Sequence, residues 1–340
     1  MPQSRLVAGM LSVGLMVLGA SVVSGQDYPN KPISISTLSL IDAHNHLPKG
    51  LTLEHLLKLM DDSGVAMTLL MPVHYGLSKL PGHGIADENL VLEFYRRRPD
   101  RIIPFLGMLR PVLFSKQRWL LPDSAAEDLL RFAESQLKTG LFRGMGEFIL
   151  WHYPYRYPGG FQSGTVKIPA NTPLMKRFLE LASKYHVPVT IHYELDEESL
   201  PSLRRMLSYA RQTTIVLAHN GGRPDPTTLK ELLDNHPNVF FDLAGMTHLE
   251  HYGYTSGEYK KNPIDDGTGH LRPEWKALYE QYADRFVIGT DGADLLAKAK
   301  PERYKPIVTT IRSLLSDLSP EASERIGFKN AQRLFVPIKK

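Results

Sequence analysis

Eight times this chain passes from a short apolar, β-branched run to an amphipathic stretch with helical spacing, and nothing else in it narrows the fold as far. The runs are Leu38–Leu47, Ala66–Val73, Ile102–Leu109, Arg143–Leu150, Pro188–Glu194, Thr214–Asn220, Val239–Met246 and Phe286–Gly292. They are apolar almost throughout instead of alternating, as strands covered on both faces are. The stretches between them include Leu53–Asp62, Glu88–Arg98, Ser124–Lys138, Leu174–Tyr185, Leu200–Gln212, Thr227–Asn235, Pro273–Tyr282 and Pro301–Leu318. Pro122, Pro173, Pro201, Pro226, Pro273 and Pro301 stand at or just before helix starts, where a missing N–H costs little. Eight such units between Gln26 and Lys340, 340 − 25 = 315 residues, predict an α/β chain folded as a (β/α)₈ TIM barrel. A doubly wound sheet would need a glycine-rich phosphate turn after an early strand, and none is present.

The first 25 residues read differently. Met1 to Arg5 is short with one positive charge, Leu6–Val23 is apolar and uncharged, and small residues precede Gln26. This is the layout of a secretory signal peptide cleaved near Gly25. A retained membrane anchor is the alternative, because the run approaches spanning length; its glycines and serines favour cleavage. The expectation is a signal peptide over 1–25 and a single barrel domain over 26–340, exported to a periplasm or medium, with no stable membrane anchor after cleavage. With no cysteine, the chain has no disulfide, thiolate metal site, iron–sulfur cluster or cysteine nucleophile. Any metal must sit on His, Asp, Glu or carbonyl oxygen. The net charge is only +4, and Arg96-Arg97-Arg98 lies among Glu88, Glu93 and Asp100. That is a solvated helix face, and no nucleic-acid partner is expected.

In a barrel of this kind the chemistry sits at the C-terminal ends of the strands. Strand one ends Asp42-Ala43-His44-Asn45-His46, and alternate residues share a face, so His44 and His46 both point inward and could grip one ion. A lone His-x-His recurs in many cores and on many surfaces. Strand five ends in His192, strand six in His219-Asn220-Gly221-Gly222 and strand eight in Gly289-Thr290-Asp291. Each polar residue closes an otherwise apolar run, where burial without a partner is costly. Singly, each reads as a hydrogen-bonded core His or a helix-capping Asp; together, a shared divalent metal explains all of them. Three imidazoles and a carboxylate suit Zn²⁺, with Mn²⁺ or Fe²⁺ as alternatives. Glu147, in Arg143-Gly144-Met145-Gly146-Glu147, is a further acid in an apolar run. It either binds or bridges metal or pairs structurally with Arg143 or a histidine.

These motifs resemble the metal-site motifs of the amidohydrolase superfamily. Within it the chain is most similar to the amidohydrolase-related group that includes aminocarboxymuconate-semialdehyde decarboxylase. Ile326–Phe335 resembles that group's closing helix, so the likeness runs from strand one through the last helix. It implies that His44, His46, His192 and Asp291 hold one catalytic divalent ion, usually zinc. It further implies that His219 orients or deprotonates the water and that Asp291 shuttles its proton. Glu147 matches the Gly-Glu element of the TatD-like deoxyribonuclease branch, where a strand-four Glu helps hold a metal pair. A second ion therefore stays open, while the bridging carbamylated lysine of the phosphotriesterase type has no candidate on that strand.

Loops after the strands should shape the pocket. Trp151–Tyr157 is rich in aromatics, and Thr247–His270 contains His248, His251, Tyr252, Tyr254 and Tyr259. A loop of that length is a lid or a surface clasp. Arg223 could pair with a substrate carboxylate or cap a neighbouring element. His74 is a pocket candidate with Trp151 and His248, while His55, His186 and His236 lie on helices or their ends and are assigned no role. The leading activity is metal-dependent hydrolysis of an amide, ester or lactone-type bond in a small organic substrate. Non-oxidative decarboxylation on the same metal is the alternative, and a barrel that only binds is disfavoured because the ligand set is intact. A homo-oligomer is compatible with all three.

Overall fold

The apolar runs become short strands. In the computed structural model, which describes residues 38–47, 50–74, 88–154, 164–222, 224–247, 262–291 and 304–336, the first run makes β1 (Leu40–Asp42) and β2 (His46–Leu47). Then follow β3 (Val65–Pro72), β4 (Ile102–Pro104), β5 (Leu106–Gly107), β6 (Met145–His152) and β7 (Val166–Lys167). The last four are β8 (Val189–Tyr193), β9 (Ile215–Leu217), β10 (Val239–Asp242) and β11 (Phe286–Val287). Parallel pairing runs β1 and β2 to β3, β3 to β4, β5 to β6, then through β8, β9 and β10 to β11. The ring closes between its first and last strands. Ala43 N donates to Ile288 O at 2.9 Å and Asp291 N to His44 O at 2.8 Å. The architecture is the expected α/β TIM barrel.

Helices cover the outside, and their starts follow the capping chemistry in the sequence. Pro173, Pro226 and Pro273 are first residues of Pro173–Lys184, Pro226–Asn235 and Pro273–Gln281. Thr52, Asp123 and Thr172 each accept a backbone N–H at a helix N-terminus, replacing a bond the helix cannot make itself. Aromatic packing binds this layer to the strands: Phe148 of β6 meets Trp119 and Phe178 at ring separations of 6.2 and 5.0 Å. The barrel interior is a smaller cluster that includes Ile41, Leu69, Ile103, Phe105, Val216 and Val287. Phe335, from the closing segment Pro320–Phe335, packs on Phe105 at 5.5 Å. Asn330 anchors that segment, its side-chain amide donating to Ala283 O and Phe286 O at 2.7 Å each.

Two local departures from the expected strands matter for the site. The break at Ala43–Asn45 resets the alternation, so Ile41 and Ala43 line the inner cluster and His44 and His46 still face inward above it. The fourth strand runs on to His152, because β7 folds back antiparallel along it and pairs Trp151 with Lys167 and His152 with Val166.

Candidate metal centre

His44 and His46 bring their Nε2 atoms to 3.3 Å of each other, and both are buried. Glu147 Oε2 lies 3.4 Å from His46 Nε2 and 3.8 Å from His44 Nε2. Asp291 Oδ1 lies 3.5 and 3.9 Å from the same two nitrogens. Donors bound at about 2.0–2.1 Å in a tetrahedron sit about 3.3 Å apart, so the separations among His44, His46 and Glu147 suit ligands of one ion, with Asp291 in reach of both histidines. The other oxygen of the same carboxylate faces elsewhere. Glu147 Oε1 is 3.0 Å from His192 Nδ1 and 3.5 Å from His219 Nε2. Glu147 therefore joins two histidine pairs, and His192 reaches His44 and His46 across it.

The backbone explains how these side chains converge. Strand eight must pass close to His44, since a Cβ at Gly289 would fall 2.5 Å from the His44 Cβ. The next turn is held by Asp42, whose carboxylate accepts from Thr290 N, Thr290 Oγ1 and Tyr304 Oη at 2.9, 2.7 and 3.2 Å. Burial pushes the Asp42 carboxyl up to about 6 against those bonds. After β9 the chain turns through consecutive left-handed residues, with φ of 57° at His219, 50° at Asn220, 68° at Gly221 and 74° at Gly222. A bulky residue with positive φ is strained and persists where its surroundings fix it. Here the His219 N donates to Asp242 Oδ1 at 3.0 Å and its Nδ1 to Ala244 O at 2.9 Å.

Charge in the cluster is one-sided. Burial pushes the His44 imidazole down, but Asp242, 2.8 Å from its Nδ1, and Glu147 outweigh burial and set it at about 9. Burial likewise opposes protonation of His192, while Glu147 and Glu194 carry it to about 9. Burial works to raise Glu147, yet the surrounding imidazoles hold it well below the ordinary carboxylate range. Four carboxylates (Glu147, Glu194, Asp242, Asp291) facing four imidazoles demand positive charge, which protons or a divalent cation supply. The inward nitrogens and oxygens fit the cation. Outward, the Nδ1 atoms of His44 and His219 are already pinned, and the buried Nδ1 of His46 has no partner among the described residues.

All of the strand-end residues singled out in the sequence, His44, His46, Glu147, His192, His219 and Asp291, meet here. Of the peripheral candidates, Trp151 and His74 do not join them. Trp151 sits within β6, where a register shift pairs it with Tyr193; its indole N–H donates to Asp196 at 3.3 Å. His152, next along, packs instead against His192 with rings 5.0 Å apart. His74 is tied to the buried Glu88 at 2.9 Å, which also takes Arg110. Arg223 and His248 lie outside the described residues. Asp242 and Glu194 were not anticipated, although Asp242 closes the apolar run Val239-Phe240-Phe241 just as His192 and His219 close theirs.

Fold and centre together define an α/β barrel whose strand ends assemble a cation-demanding cluster of histidines and carboxylates. The family model described as amidohydrolase matches residues 41–336, and the chain belongs to that family; members of the superfamily are metal-dependent enzymes, both hydrolases and decarboxylases. No curated protein matches the chain. Among solved structures it is similar to an uncharacterised TIM-barrel protein from Bordetella bronchiseptica (TM-score 0.57, 15% identity, 87% of this chain and 98% of that one). It is also similar to a dihydroxybenzoic acid decarboxylase from Polaromonas with bound manganese and 2-nitroresorcinol (TM-score 0.52, 14% identity, 88% and 97%). A third is 2,6-dihydroxybenzoate decarboxylase from Rhizobium (TM-score 0.50, 16% identity, 88% and 98%).

Proposed function

We propose that this chain is an exported divalent-metal hydrolase that cleaves an amide, ester or lactone-type bond in a small organic substrate. The observation that carries the reading is the division of Glu147 between two histidine pairs. His44, His46, Asp291 and one Glu147 oxygen would hold one ion. His192, His219 and the other oxygen make a three-donor set, which leaves a position for water as hydrolytic zinc sites do. This supports two ions where the sequence alone suggests one. Nitrogen-rich donors favour zinc, and the Polaromonas relative has manganese bound, so both metals belong in the assay.

A divalent ion supplies Lewis acidity there and lowers the pKa of water from 15.7 to about 7. The chain's own groups handle protons and orientation. The Asp291 side chain is 37% exposed, more open than its neighbours, so it can take a proton from the attacking water and return it to the leaving group. His219 donates through Nδ1 to Ala244 O, which turns the Nε2 lone pair toward the second donor set. Were only one ion bound, that lone pair would instead take a water proton, and the protonated nitrogen would donate to a developing oxyanion.

Elemental analysis of metal-reconstituted protein tests the centre. About two equivalents are expected, falling in Glu147→Gln; one equivalent would remove the second donor set and keep the hydrolase, and turnover without any metal would end the reading. Decarboxylation is the second reading, favoured by the dihydroxybenzoate decarboxylases that share the barrel over 88% of this chain. Assaying lactones, esters and amides beside hydroxybenzoic acids separates the two: carbon dioxide release from an acid with no hydrolysis in the panel would replace the first by the second. For export, intact mass of the native protein should show an N-terminus near Gln26, and Met1 retained in cytoplasm would overturn that part.

A further inference from the structure

His192 has a carboxylate on each of its nitrogens. Glu147 Oε1 lies 3.0 Å from Nδ1 and Glu194 Oε1 lies 3.1 Å from Nε2. Glu194 is fully buried just past the end of β8, and no step of the reaction above uses it. Its backbone is fixed on both sides: Glu194 N donates to Trp151 O at 3.0 Å, and Leu195 N to Gly221 O at 2.8 Å. The left-handed turn grips its stem as well, because a Cβ on Gly222 would fall 2.5 Å from the Glu194 Cγ. A fully buried carboxylate so firmly placed holds the His192 Nε2 bond in a fixed direction.

We propose that Glu194 is a positioning residue that selects which nitrogen of His192 faces the metal. By accepting from Nε2–H it leaves the Nδ1 lone pair directed at the Glu147 side. The proposal rests on the metal-centre reading above. His44 and His219 are fixed in the opposite sense, since Asp242 and the Ala244 carbonyl accept from Nδ1 and turn Nε2 inward. The selection matters at His192 because both of its sides can attract a cation. His152, His192 and Glu194 also place donor atoms within 4.8 Å of one another, and His152 Nδ1 is 3.1 Å from Gly164 O, which orients that ring. The other tautomer would aim the His192 lone pair at this outer group and away from Glu147. Imidazole ligands are commonly fixed in this way, and losing the fixing group typically costs about 10–100-fold in metal affinity.

The test reads the tautomer directly. Long-range ¹⁵N–¹H spectra of histidine-labelled, zinc-loaded protein, with His192 assigned by its loss in His192→Ala, should show the proton on Nε2. Zinc affinity from chelator competition should fall about 10–100-fold in Glu194→Ala. Glu194→Gln, whose amide oxygen still accepts from Nε2–H, should recover most of that loss. A His192 proton on Nδ1 in the wild type, or Glu194→Ala binding zinc as tightly as wild type, would overturn the proposal and leave the metal centre standing. A wild type that binds no divalent ion would overturn both. The wild-type spectrum decides even if Glu194→Ala fails to fold.

Discussion

Asp242 accepts from His44 Nδ1, from His219 N and from Ala244 N, at 2.8, 3.0 and 3.1 Å, so one carboxylate orients the His44 imidazole and fixes the backbone that carries His219. Replacing it by Ala orphans all three donors. The expected cost is about 3–5 kcal/mol of stability, as for a broken buried charge pair. Zinc affinity should fall about 10–100-fold, measured by equilibrium dialysis at a temperature where the variant is folded. Unchanged affinity would mean that His44 needs no partner to stay aimed. At this scale the sequence was legible wherever a polar side chain closed an apolar run, which is why His44, His46, His192, His219 and Asp291 could be found. Asp242 obeys the same rule and could have been found by applying it to the seventh run. Glu194 ends the fifth run too, but it also opens the acidic stretch Glu194-Leu195-Asp196-Glu197-Glu198, which reads as solvated surface, and burial of its first member depends on the turn at Gly221-Gly222 from another strand.

The elements around the barrel carry their own electrostatics. Glu88, at the start of the helix Glu88–Arg97, is buried against His74 and Arg110. Burial works to raise its carboxyl, but the His74 hydrogen bond and the Arg110 guanidinium hold it below the ordinary range. A lowered folded pKa gives stability that is complete above the unfolded value, about 4.3, and is lost as pH falls through the folded one. Glu88→Gln should therefore cost on the order of 1–3 kcal/mol in urea unfolding at pH 7. The gap from wild type should close only as pH falls through the lowered folded value, below which both chains carry a neutral group. A gap independent of pH would show that shape, not charge, was lost. Helix positions were legible from spacing and prolines. The hairpin of β6 and β7 was not, because Val166-Lys167 is too short to show a period and its pairing with Trp151 and His152 is set by tertiary contact.

Across the whole molecule, eight strand–helix alternations were enough to define the barrel, since no other arrangement buries so many doubly covered strands without a nucleotide-type turn. What the sequence left unstated is how the cylinder shuts, because the break at Ala43–Asn45 and the bonds from Ala43 to Ile288 and from Asp291 to His44 join positions with no local signal. The ion should brace that closure. A ligand that binds only the folded state at about 100 times its Kd adds about 2.7 kcal/mol, so chelation should lower the thermal midpoint and zinc should restore it. His44→Ala should show a smaller zinc response. The closure also sets a timetable. His44 and His46 leave the ribosome nearly 250 residues ahead of Asp291, roughly ten seconds to a minute at about 5–20 residues per second. For that interval the two histidines are ordinary imidazoles on an open chain, with neither the last strand beside them nor the aspartate across from them. An ion that needs Asp291 would thus be acquired only at the end of synthesis, and its content would become a tally of chains whose final strand has been made and put in place.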